Sequence, residues 1–504
     1  MTPDLMTTGK PRVVPGAVAT FRVPSPDLEA VVRDFSGLRL ADMFASDGGT
    51  PAIRLVWAND SGGGQGGYVI TETPVGDGEY PALSDIAPAA FVEECEIYEQ
   101  FGIRPATGKP LNRVMLPPHA DLPTLGRKPP REPEEVRAPH TVAGEAFEFP
   151  FGPVRQAGVE SLYYGLVTSG EEVVDLYLFT WHKHRGLEWR LRGKTPHEAL
   201  FLAERAEGLS AVAMGWALAA AAEAATGIRP PDEAQRTRAV ALELERLYNH
   251  AAAMAALCQS TGLSVGQSAA EIALERLLRL NARAFGHRYL FGVVAVGGAS
   301  RPPDAGAIRA GLPGAYGEFR RAADALLGTN SFVDRLEATG VLTAGQARAL
   351  GLVGPVARAT GLTTDARLVP GGPYDAEAGT EVGVAAGTAG DVLARFNVML
   401  AEAAESVQLI GQLLNAGTGA STGAGTADVP RAGGSGLGWA ESPRGEALAW
   451  VQLDDAGRIV RARLRPASAR NWRGFDDACR SQNVFTDIPI IEASFWLTAA
   501  GMAR

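Results

Sequence analysis

Cysteine is scarce in this chain of 504 residues, which contains only Cys95, Cys258 and Cys479. Three widely spaced cysteines cannot build a disulfide scaffold, and no two of them have the spacing of a metal-binding pair. We therefore expect a protein of a reducing, cytoplasmic compartment.

Long apolar runs are also missing. Residues 1–14 contain no apolar core behind a basic region, so we expect no signal peptide. The longest uncharged apolar stretch, residues 209–222, is shorter than the roughly 20 residues that cross a bilayer. We predict that the chain has no transmembrane segment of its own, and that any membrane attachment comes through partner subunits.

Positive charge is in deficit, with 47 Lys and Arg against 57 Asp and Glu and a formal net charge of −10. A nucleic-acid partner would require a basic face, so this balance argues against one. No phosphate loop, G-x-G-x-x-G, H-E-x-x-H or G-x-S-x-G motif occurs in the strand and helix context that it needs. We expect an acidic enzyme or complex subunit without a nucleotide site.

The order of the segments predicts two domains joined by a linker. Short β-like runs such as residues 52–57, with a glycine-rich turn at residues 61–67, predict a small α/β domain over residues 1–117. Residues 118–150 are rich in proline and charge and have no apolar periodicity, which is typical of a linker. Residues 151–504 then form the second domain.

The second domain is predicted to be mainly helical. Two β-like runs around residues 169–172 predict a hairpin, and Thr195 with Glu198 has the form of a capping box that begins a helix ending near Thr226. Further elements are predicted at about residues 232–261, 267–290, 304–328 and 389–416 as helices, 417–436 as a flexible excursion and 447–465 as a hairpin. The fold class is therefore α+β, with a small α/β domain before a helical bundle with flanking antiparallel hairpins.

Two groups of polar residues are candidates for chemistry. His184, Arg185 and Glu188 lie in a dense polar segment that suits a proton relay or an anion site, although a solvated loop has the same composition. Arg246 and His250 share one helix face between apolar turns, where buried cations would need partners. A functional or interface role and a solvated charged face are both open for this pair.

Glu207 is a third candidate because it borders an apolar helix segment. A carboxylate in such a place must be paired or protonated, since an isolated buried charge is too costly. A simple ion pair with Arg205 or another cation is an equal alternative to a functional role.

Taken in order, these segments resemble the large subunits of energy-converting nickel–iron hydrogenases and the homologous 49-kilodalton subunit of respiratory complex I. The matching segments are residues 151–153, 184–188, 199–205, 243–250, 351–358, 390–392 and 442–446. Residues 94–103 and 108–117 are similar to the 30-kilodalton subunit of complex I. A fusion of these two subunits is typical of the large subunit of formate hydrogenlyase, so the resemblance covers both predicted domains.

Departures from the family pattern bear on the chemistry. In the hydrogenases two C-x-x-C pairs hold nickel and iron, but the first pair corresponds here to Glu207 and Ser210, and no cysteine occurs near residues 487–495, where the second is expected. A carboxylate and a hydroxyl cannot replace soft thiolates, so the resemblance implies no metal and no hydrogenase activity. Complex I also lacks the metal and binds quinone in the vacated cavity. The tyrosine and histidines that it uses correspond here to Gly208 and residues 155–159, which cannot play those roles.

The resemblance implies an electron-transfer subunit of a membrane-associated complex on the inner face of the cell membrane. Electrons would come from a small iron–sulfur subunit and pass to quinone or another acceptor near Glu207, with His184, Arg185 and Glu188 on a proton route. Membrane-arm subunits are further expected partners. A non-catalytic scaffold is the alternative, and the electron donor and any ion pumping are left open.

The cofactors are expected to lie outside this chain. The resemblance implies that Arg205, Arg246 and His250 face the iron–sulfur cluster of the partner, where cations raise the reduction potential of a cluster. We expect this chain to bind no cofactor of its own, quinone being the one candidate ligand, and NADH to act only indirectly through a partner.

Overall fold

The computed structural model describes residues 18–46, 51–60, 66–76, 78–118, 122–129, 146–154, 161–370, 373–374, 382–419, 433–480 and 482–504. Three sequence expectations fall wholly or mostly elsewhere: the glycine-rich turn at residues 61–67, the residues 155–159 that correspond to the histidines of complex I, and most of the excursion at 417–436. The linker predicted at residues 118–150 is described only in part, so the division into domains stays a prediction.

A four-stranded sheet with two helices forms the N-terminal part. Its strand order is β1-β4-β3-β2, with β1 parallel to β4 and the other neighbours antiparallel. Apolar residues alternate along its strands, and those on one face form a separate buried core with α1 and α2. The elements are β1 Val18–Arg22, α1 Leu28–Asp34, β2 Arg39–Ser46, β3 Ala52–Asn59, β4 Gly67–Pro74, β5 Glu79–Pro81, α2 Phe91–Phe101 and β6 Arg104–Ala106.

Helices dominate the remainder, with a three-stranded antiparallel sheet at each end. The first sheet confirms the hairpin predicted around residues 169–172 and adds an outer strand, β7. The elements up to the middle of the domain are β7 Ala146–Phe151, β8 Tyr163–Ser169, β9 Glu172–Phe179, α3 Leu187–Arg190, α4 Pro196–Ala203, α5 Ala211–Thr226, α6 Asp232–Ser260, α7 Ser264–Phe285, β10 Val294–Ala295 and β11 Gly298–Ala299.

The second sheet follows the last long helix. The elements are α8 Ala305–Leu327, α9 Asn330–Leu336, α10 Ala344–Ala349, α11 Gly354–Arg358, α12 Val392–Asn415, β12 Gly434–Ser442, β13 Gly445–Leu453, β14 Ile459–Arg465, α13 Ala467–Arg480 and α14 Ile488–Phe495. The predicted helices α6, α8 and α12 are confirmed to within a few residues. Helix α7 ends earlier than predicted because Gly286 adopts a left-handed backbone that closes it. The α+β fold class is confirmed.

The single helix predicted from Thr195 to Thr226 is wrong, because the chain breaks it into α4 and α5. The capping box of Thr195 and Glu198 is present at the start of α4 as predicted. Glu207 then takes an extended backbone, with φ −141° and ψ 91°, before α5 begins. Gly208 and Ser210 within this segment are weak helix formers, so the sequence permits a break here, and a contact from elsewhere in the fold stabilises it.

A carboxylate from a neighbouring helix caps α5. Glu245 on α6 accepts hydrogen bonds from the backbone N–H groups of Val212 and Ala213, at 2.7 and 3.1 Å. The first N–H groups of a helix need acceptors, and the two oxygens of the Glu245 carboxyl group supply them. This tertiary cap makes residue 211 a stable helix start, which the sequence around it does not reveal.

Strand β12 corrects a second expectation. It starts at Gly434, inside the stretch predicted to be a flexible excursion, and it pairs with β13 over its whole length. Its glycines allow α5 to lie directly on the strand: a Cβ at Gly436 would stand 2.2 Å from the Ala221 carbonyl oxygen, and one at Gly438 2.2 Å from that of Ala217. The glycines therefore serve close backbone approach instead of flexibility.

Among the described residues, the helical stretch Gly208–Thr226 is long and apolar enough to cross a membrane, judged by length and composition alone. Inside the fold, 72% of its most apolar part is buried. Such burial is what the central helix of a globular domain shows, and α5 is surrounded by β12, β13, α4 and α6.

We predict that Gly438→Ala destabilises the protein by about 1–3 kcal/mol, because the added methyl group meets backbone atoms of α5 that cannot move aside. The matched control is Gly411→Ala in α12, where an added Cβ meets nothing within 4 Å and should stabilise the helix by up to about 1 kcal/mol. Urea unfolding of both variants checks this. Equal midpoints for the two would contradict the close packing of α5 on β12.

Candidate functional site

Glu207 lies at the break between α4 and α5, with no exposed surface. Its Oε1 accepts hydrogen bonds from the hydroxyl of Thr498, at 2.8 Å, and from that of Ser468. Its Oε2 is buried without a hydrogen-bond partner among the described residues. A buried carboxylate oxygen left without a donor is rare in folded proteins and marks a place where a proton or a polar group can bind.

The C-terminal residues supply the other half of the site. Thr498 and Gly501 have the spacing of a C-x-x-C pair and lie against Glu207, since a Cβ at Gly501 would stand 3.6 Å from Glu207 Oε1. Residues 487–495, near which this half is expected, form α14 and the turn before it, and Thr498 and Gly501 follow just after that helix. Four positions with C-x-x-C spacing converge here, Glu207, Ser210, Thr498 and Gly501, and none carries sulfur.

Arg444 supplies the positive charge of the site. It lies in the turn between β12 and β13, and it donates hydrogen bonds from Nη1 to Ser210 Oγ at 2.9 Å and from Nη2 to Asn249 Oδ1 at 3.2 Å. Its Nε stands 3.9 Å from Glu207 Oε1. Burial lowers the pKa of this guanidinium while Glu207 raises it. Arg444 belongs to a matching segment of the sequence, but nothing in the sequence placed it opposite residue 210.

Glu245 is a second buried carboxylate of the site that sequence reasoning missed. Burial raises its pKa to about 8, and the charge of Glu207 adds to that rise. This rise in pKa is opposed by the N–H groups of Val212 and Ala213 and by Arg444, but their combined effect is smaller than that of burial. Glu245 therefore holds a proton at neutral pH.

The predicted proton-route residues lie at two places. Arg185 ties the break to the C-terminus: its Nη1 donates to the Arg205 carbonyl at 2.6 Å and its Nη2 to those of Ala206 at 2.6 Å and Ala500 at 2.5 Å. Its side chain thus holds the two halves of the site together. These are carbonyl contacts, which a sequence cannot indicate, and a place for Arg185 on a proton route stays a prediction.

Glu188 belongs to a different ion cluster, on β14. It accepts from Arg461 Nη1 at 2.7 Å and from Arg504 Nε at 3.2 Å. Burial alone would raise its pKa, but the arginines outweigh that effect and lower it. His184 stands nearby, and burial lowers its pKa to about 4, so it is neutral. The Nδ1 atom of His184 has no hydrogen-bond partner among the described residues.

Of the residues predicted to face a partner cluster, Arg205 reaches the surface. Its side chain is 41% exposed and lies over the Phe201 ring, 3.7 Å from the ring centroid, and 4.8 Å from that of Phe291. Phe201 is itself 61% exposed. We call Phe201, Arg205 and Phe291 the aromatic patch. It lies on the outer side of the break that carries Glu207.

Arg246 and His250 are buried in contacts within this chain. Arg246 binds Glu243 at 3.1 Å and the carbonyl of Glu441 at 2.8 Å, and His250 Nε2 is 3.0 Å from Glu402 Oε2. Neither side chain has measurable access from the surface of this chain. Their orientation toward a partner cluster stays a prediction.

The donor set does not fit a nickel–iron centre. The four converging positions offer one carboxylate and two hydroxyls, and Arg444 places a cation against Ser210. Thiolates are absent, and the three cysteines are buried elsewhere, with the pKa of Cys95 raised by burial to about 12. No group of three or more His, Cys, Asp or Glu among the residues described above has metal-binding geometry. We therefore derive no chemistry through such a centre.

Comparisons with known proteins agree with this architecture. Residues 272–428 match the family model of the respiratory-chain NADH dehydrogenase 49-kilodalton subunit. Formate hydrogenlyase subunit 5 of Escherichia coli is 28% identical over 450 residues, covering 84% of this chain and 77% of the relative. An NADH-quinone oxidoreductase subunit of Salinispora arenicola is 33% identical over 268 residues, covering 52% of this chain and 69% of the relative.

A solved structure shares the fold. A chain of the membrane-bound sulfane sulfur reductase, an archaeal respiratory membrane complex, superposes with a TM-score of 0.65 at 22% identity, covering 72% of this chain and all of that one. Together these relatives define the class: the chain is a subunit of an oxidoreductase complex. It belongs to the family of complex I 49-kilodalton subunits and the homologous large subunits of formate hydrogenlyase and related hydrogenases, as the sequence resemblance indicates.

We predict that Arg444→Met destabilises the protein by about 3–5 kcal/mol, because it leaves Glu207 buried without its cation. Adding Glu207→Gln should recover part of that loss, since the second change removes the uncompensated charge. Urea unfolding at neutral pH measures the cycle, with the exposed Arg458→Met as a control expected to stay within about 0.5 kcal/mol. Strictly additive effects would show that Arg444 and Glu207 do not interact.

Proposed function

We propose that this chain is the electron-transfer subunit of a membrane-associated complex, of the complex I or formate hydrogenlyase kind. It takes electrons from a small iron–sulfur subunit and delivers them to quinone or another small acceptor without a nickel–iron centre. The observation that carries this proposal is Glu207, a buried carboxylate at the position of a lost metal ligand, with one oxygen that has no donor among the described residues.

Glu245 supplies a proton that reduction of an acceptor consumes, and Glu207 passes that proton on to the acceptor. The two buried carboxylates interact, and Glu245 keeps a proton at neutral pH because burial raises its pKa to about 8. A reduced acceptor beside Glu207 is more basic than its oxidised form and attracts that proton. Positioned carboxylates of this kind act as general acids in many enzymes.

The hydroxyls of Ser468 and Thr498 hold Glu207 Oε1, so the second oxygen keeps a fixed direction. Gly208 leaves open space where complex I carries a tyrosine, because a Cβ there meets no atom nearer than 3.9 Å, on the Phe291 ring. The acceptor is therefore held by other groups than in complex I.

The aromatic patch is the contact for the iron–sulfur partner. Exposed phenylalanine rings with an arginine stacked on them are typical of the centre of a protein interface. The patch lies on the segment that also carries Glu207, so a cluster bound there is close to the site. The Arg205 guanidinium would face this cluster and favour its reduced form.

The second candidate function is a non-catalytic scaffold. It is favoured by the closure of the site, since Glu207 and Ser210 have no exposed surface and the C-terminal segment covers them. A scaffold needs the patch but not the free carboxylate oxygen.

We predict that Glu207→Gln lowers the turnover of acceptor reduction by the purified complex about 100-fold or more, as expected for loss of the carboxylate that passes the proton of Glu245 to the acceptor. Quinone reduction and metal content are assayed together for both forms, and neither should contain stoichiometric nickel. The matched control is the surface change Glu271→Gln, which should leave turnover unchanged.

The outcomes separate the functions. Unchanged turnover in Glu207→Gln would remove Glu207 from the chemistry. A wild-type complex without any acceptor reduction would favour the scaffold. Stoichiometric nickel would overturn the rejection of a metal centre.

We predict that Phe201→Ala combined with Arg205→Ala weakens binding of the iron–sulfur subunit by a factor of about 30 or more, because both side chains lie at the centre of the proposed contact. The control is Val265→Ala, at a residue on α7 that is 87% exposed. Co-purification of tagged chains and a titration of the separated subunits check it. Equal affinities for the variant and the control would place the partner elsewhere.

A further inference from the structure

A second group of ionisable side chains is buried at the centre of the helical domain, apart from the Glu207 carboxylate. We call it the central ion cluster. Its members come from α6, α11, α12, the end of β12 and the segment after α11: Arg246, Arg358, Arg367, His250, Glu243, Asp365, Glu402, Glu405 and Glu441. All of these side chains are at most 1% exposed except Glu405, at 13%.

The charges of the central ion cluster do not balance. Three arginines face five carboxylates, so full ionisation would leave two negative charges in the interior. His250 does not compensate, because burial lowers its pKa and it is neutral near pH 7. Uncompensated buried charge is costly enough that such groups take up protons instead.

The negative charge of the cluster is least well compensated around Arg358. Three carboxylates share this one guanidinium: Glu402 at 2.8 Å, Glu441 at 2.9 Å and Asp365 at 3.3 Å. Asp365 Oδ2 and Glu441 Oε1 both accept from Nη1, which also donates to the Thr364 carbonyl, so the two carboxylates converge on one nitrogen atom.

The pair differs in its other partners. Asp365 has a second guanidinium of its own, since Arg367 Nη2 binds it at 2.7 Å. Glu441 has only the backbone N–H of Ala366, at 3.0 Å, besides its share of Arg358 among the described residues. Glu441 is thus the least compensated of the fully buried carboxylates in this cluster.

We propose that the central ion cluster is a proton-binding site, in which Asp365 and Glu441 share one proton beside Nη1 of Arg358. The proton comes from water and returns to water, and no bond to another atom is made or broken. Adjacent carboxylates that cannot both ionise commonly share a proton in this way.

A route to solvent follows from the contacts. Glu405 is the partly exposed member, and its Oε1 has no hydrogen-bond partner among the described residues. Its Oε2 binds Arg367 at 3.0 Å, and Arg367 binds Asp365. Glu405 therefore lies between solvent and the pair.

The charged groups that face the pair among the described residues agree with a site that titrates near neutral pH. Burial and the charge of Asp365 raise the pKa of Glu441 to about 7, against the opposing effects of Arg358 and Arg246. Burial would also raise the pKa of Asp365, but Arg367 and Arg358 outweigh it and lower that pKa to about 2. The pair titrates as a unit, and one proton leaves it near neutral pH.

The other charged residues of the cluster are consistent with a proton held by Asp365 and Glu441. Arginines outweigh burial and lower the pKa of Glu243 and of Glu402. Burial raises the pKa of Glu405, and its carboxylate shares Arg367 Nη2 with Asp365, so its charge belongs to the same cluster. The cluster also adjoins the Glu207 site, because Arg246 binds the carbonyls of Glu441 and Ser442, next to the turn that carries Arg444.

Infrared titration of the full-length chain tests this proposal. We expect the carbonyl band of a protonated carboxylic acid to disappear with a midpoint near pH 7, and to be missing from the Glu441→Gln protein. Other protonated carboxyls contribute bands of their own, so the readout is the difference between wild type and Glu441→Gln. A difference spectrum without a titrating acid band would overturn the proposal.

In the second variant, Glu405→Gln, we expect the titration midpoint of the Glu441 band to shift, whereas Glu441→Gln removes the band. Removing one excess negative charge should lower the midpoint of the Glu441 band by about one pH unit. The exposed Glu271→Gln should leave the midpoint unchanged. A midpoint that does not move in Glu405→Gln contradicts the proposed charge excess, even if Glu441→Gln fails to fold.

Unfolding provides an independent measurement. The folded pKa of Glu441 lies above its value in an unfolded chain, so its contribution to stability is present at acidic pH and is lost as the pH rises toward about 7. Over that window the unfolding equilibrium constant of wild type should rise up to about tenfold per pH unit relative to Glu441→Gln. Parallel pH profiles for the two proteins would contradict a shared proton.

Discussion

Pairing of buried arginines is the constraint on which the arrangement of this protein depends. Arg463 on β14 reaches across to Asp42 in the N-terminal sheet at 2.8 Å, Arg358 holds three carboxylates in the helical bundle, and Arg444 joins the turn after β12 to Ser210. An unpaired charge in the interior costs several kcal/mol, so each guanidinium requires its partners at hydrogen-bond distance. The C-terminal sheet is therefore fixed against every other part of the fold.

The same constraint applies at the positions where a nickel–iron hydrogenase would need thiolates. A guanidinium occupies the centre of the polar contacts, hydroxyls hold one oxygen of Glu207, and a glycine leaves room beside it. The result is a buried polar arrangement of side chains around a carboxylate. The central ion cluster adjoins it, because Arg246 binds the carbonyls of Glu441 and Ser442, beside the turn that carries Arg444.

Much of the fold was predictable because it depends on local patterns. Apolar periodicity located α6, α8 and α12, and the Thr195 capping box located the start of α4. The break before α5 was not predictable, since Glu245, more than thirty residues away, caps that helix. The start of β12, residues 434–436, falls within a stretch predicted to be flexible, because composition alone cannot distinguish glycines that serve contact with α5 from glycines that give flexibility.

The candidate site divides in the same way. The sequence by itself determined that sulfur is missing at residues 207 and 210 and that a carboxylate stands there, because residue identity decides ligand chemistry. Only the tertiary structure decided that Thr498, Ser468 and Arg444 surround Glu207, and that Arg246 and His250 are enclosed by carboxylates of this chain. Thr498 is 291 residues from Glu207 along the chain, and hydroxyls carry no pattern of their own. Which distant groups meet is set by the packing of whole helices and sheets, so it cannot be found in any local stretch of sequence.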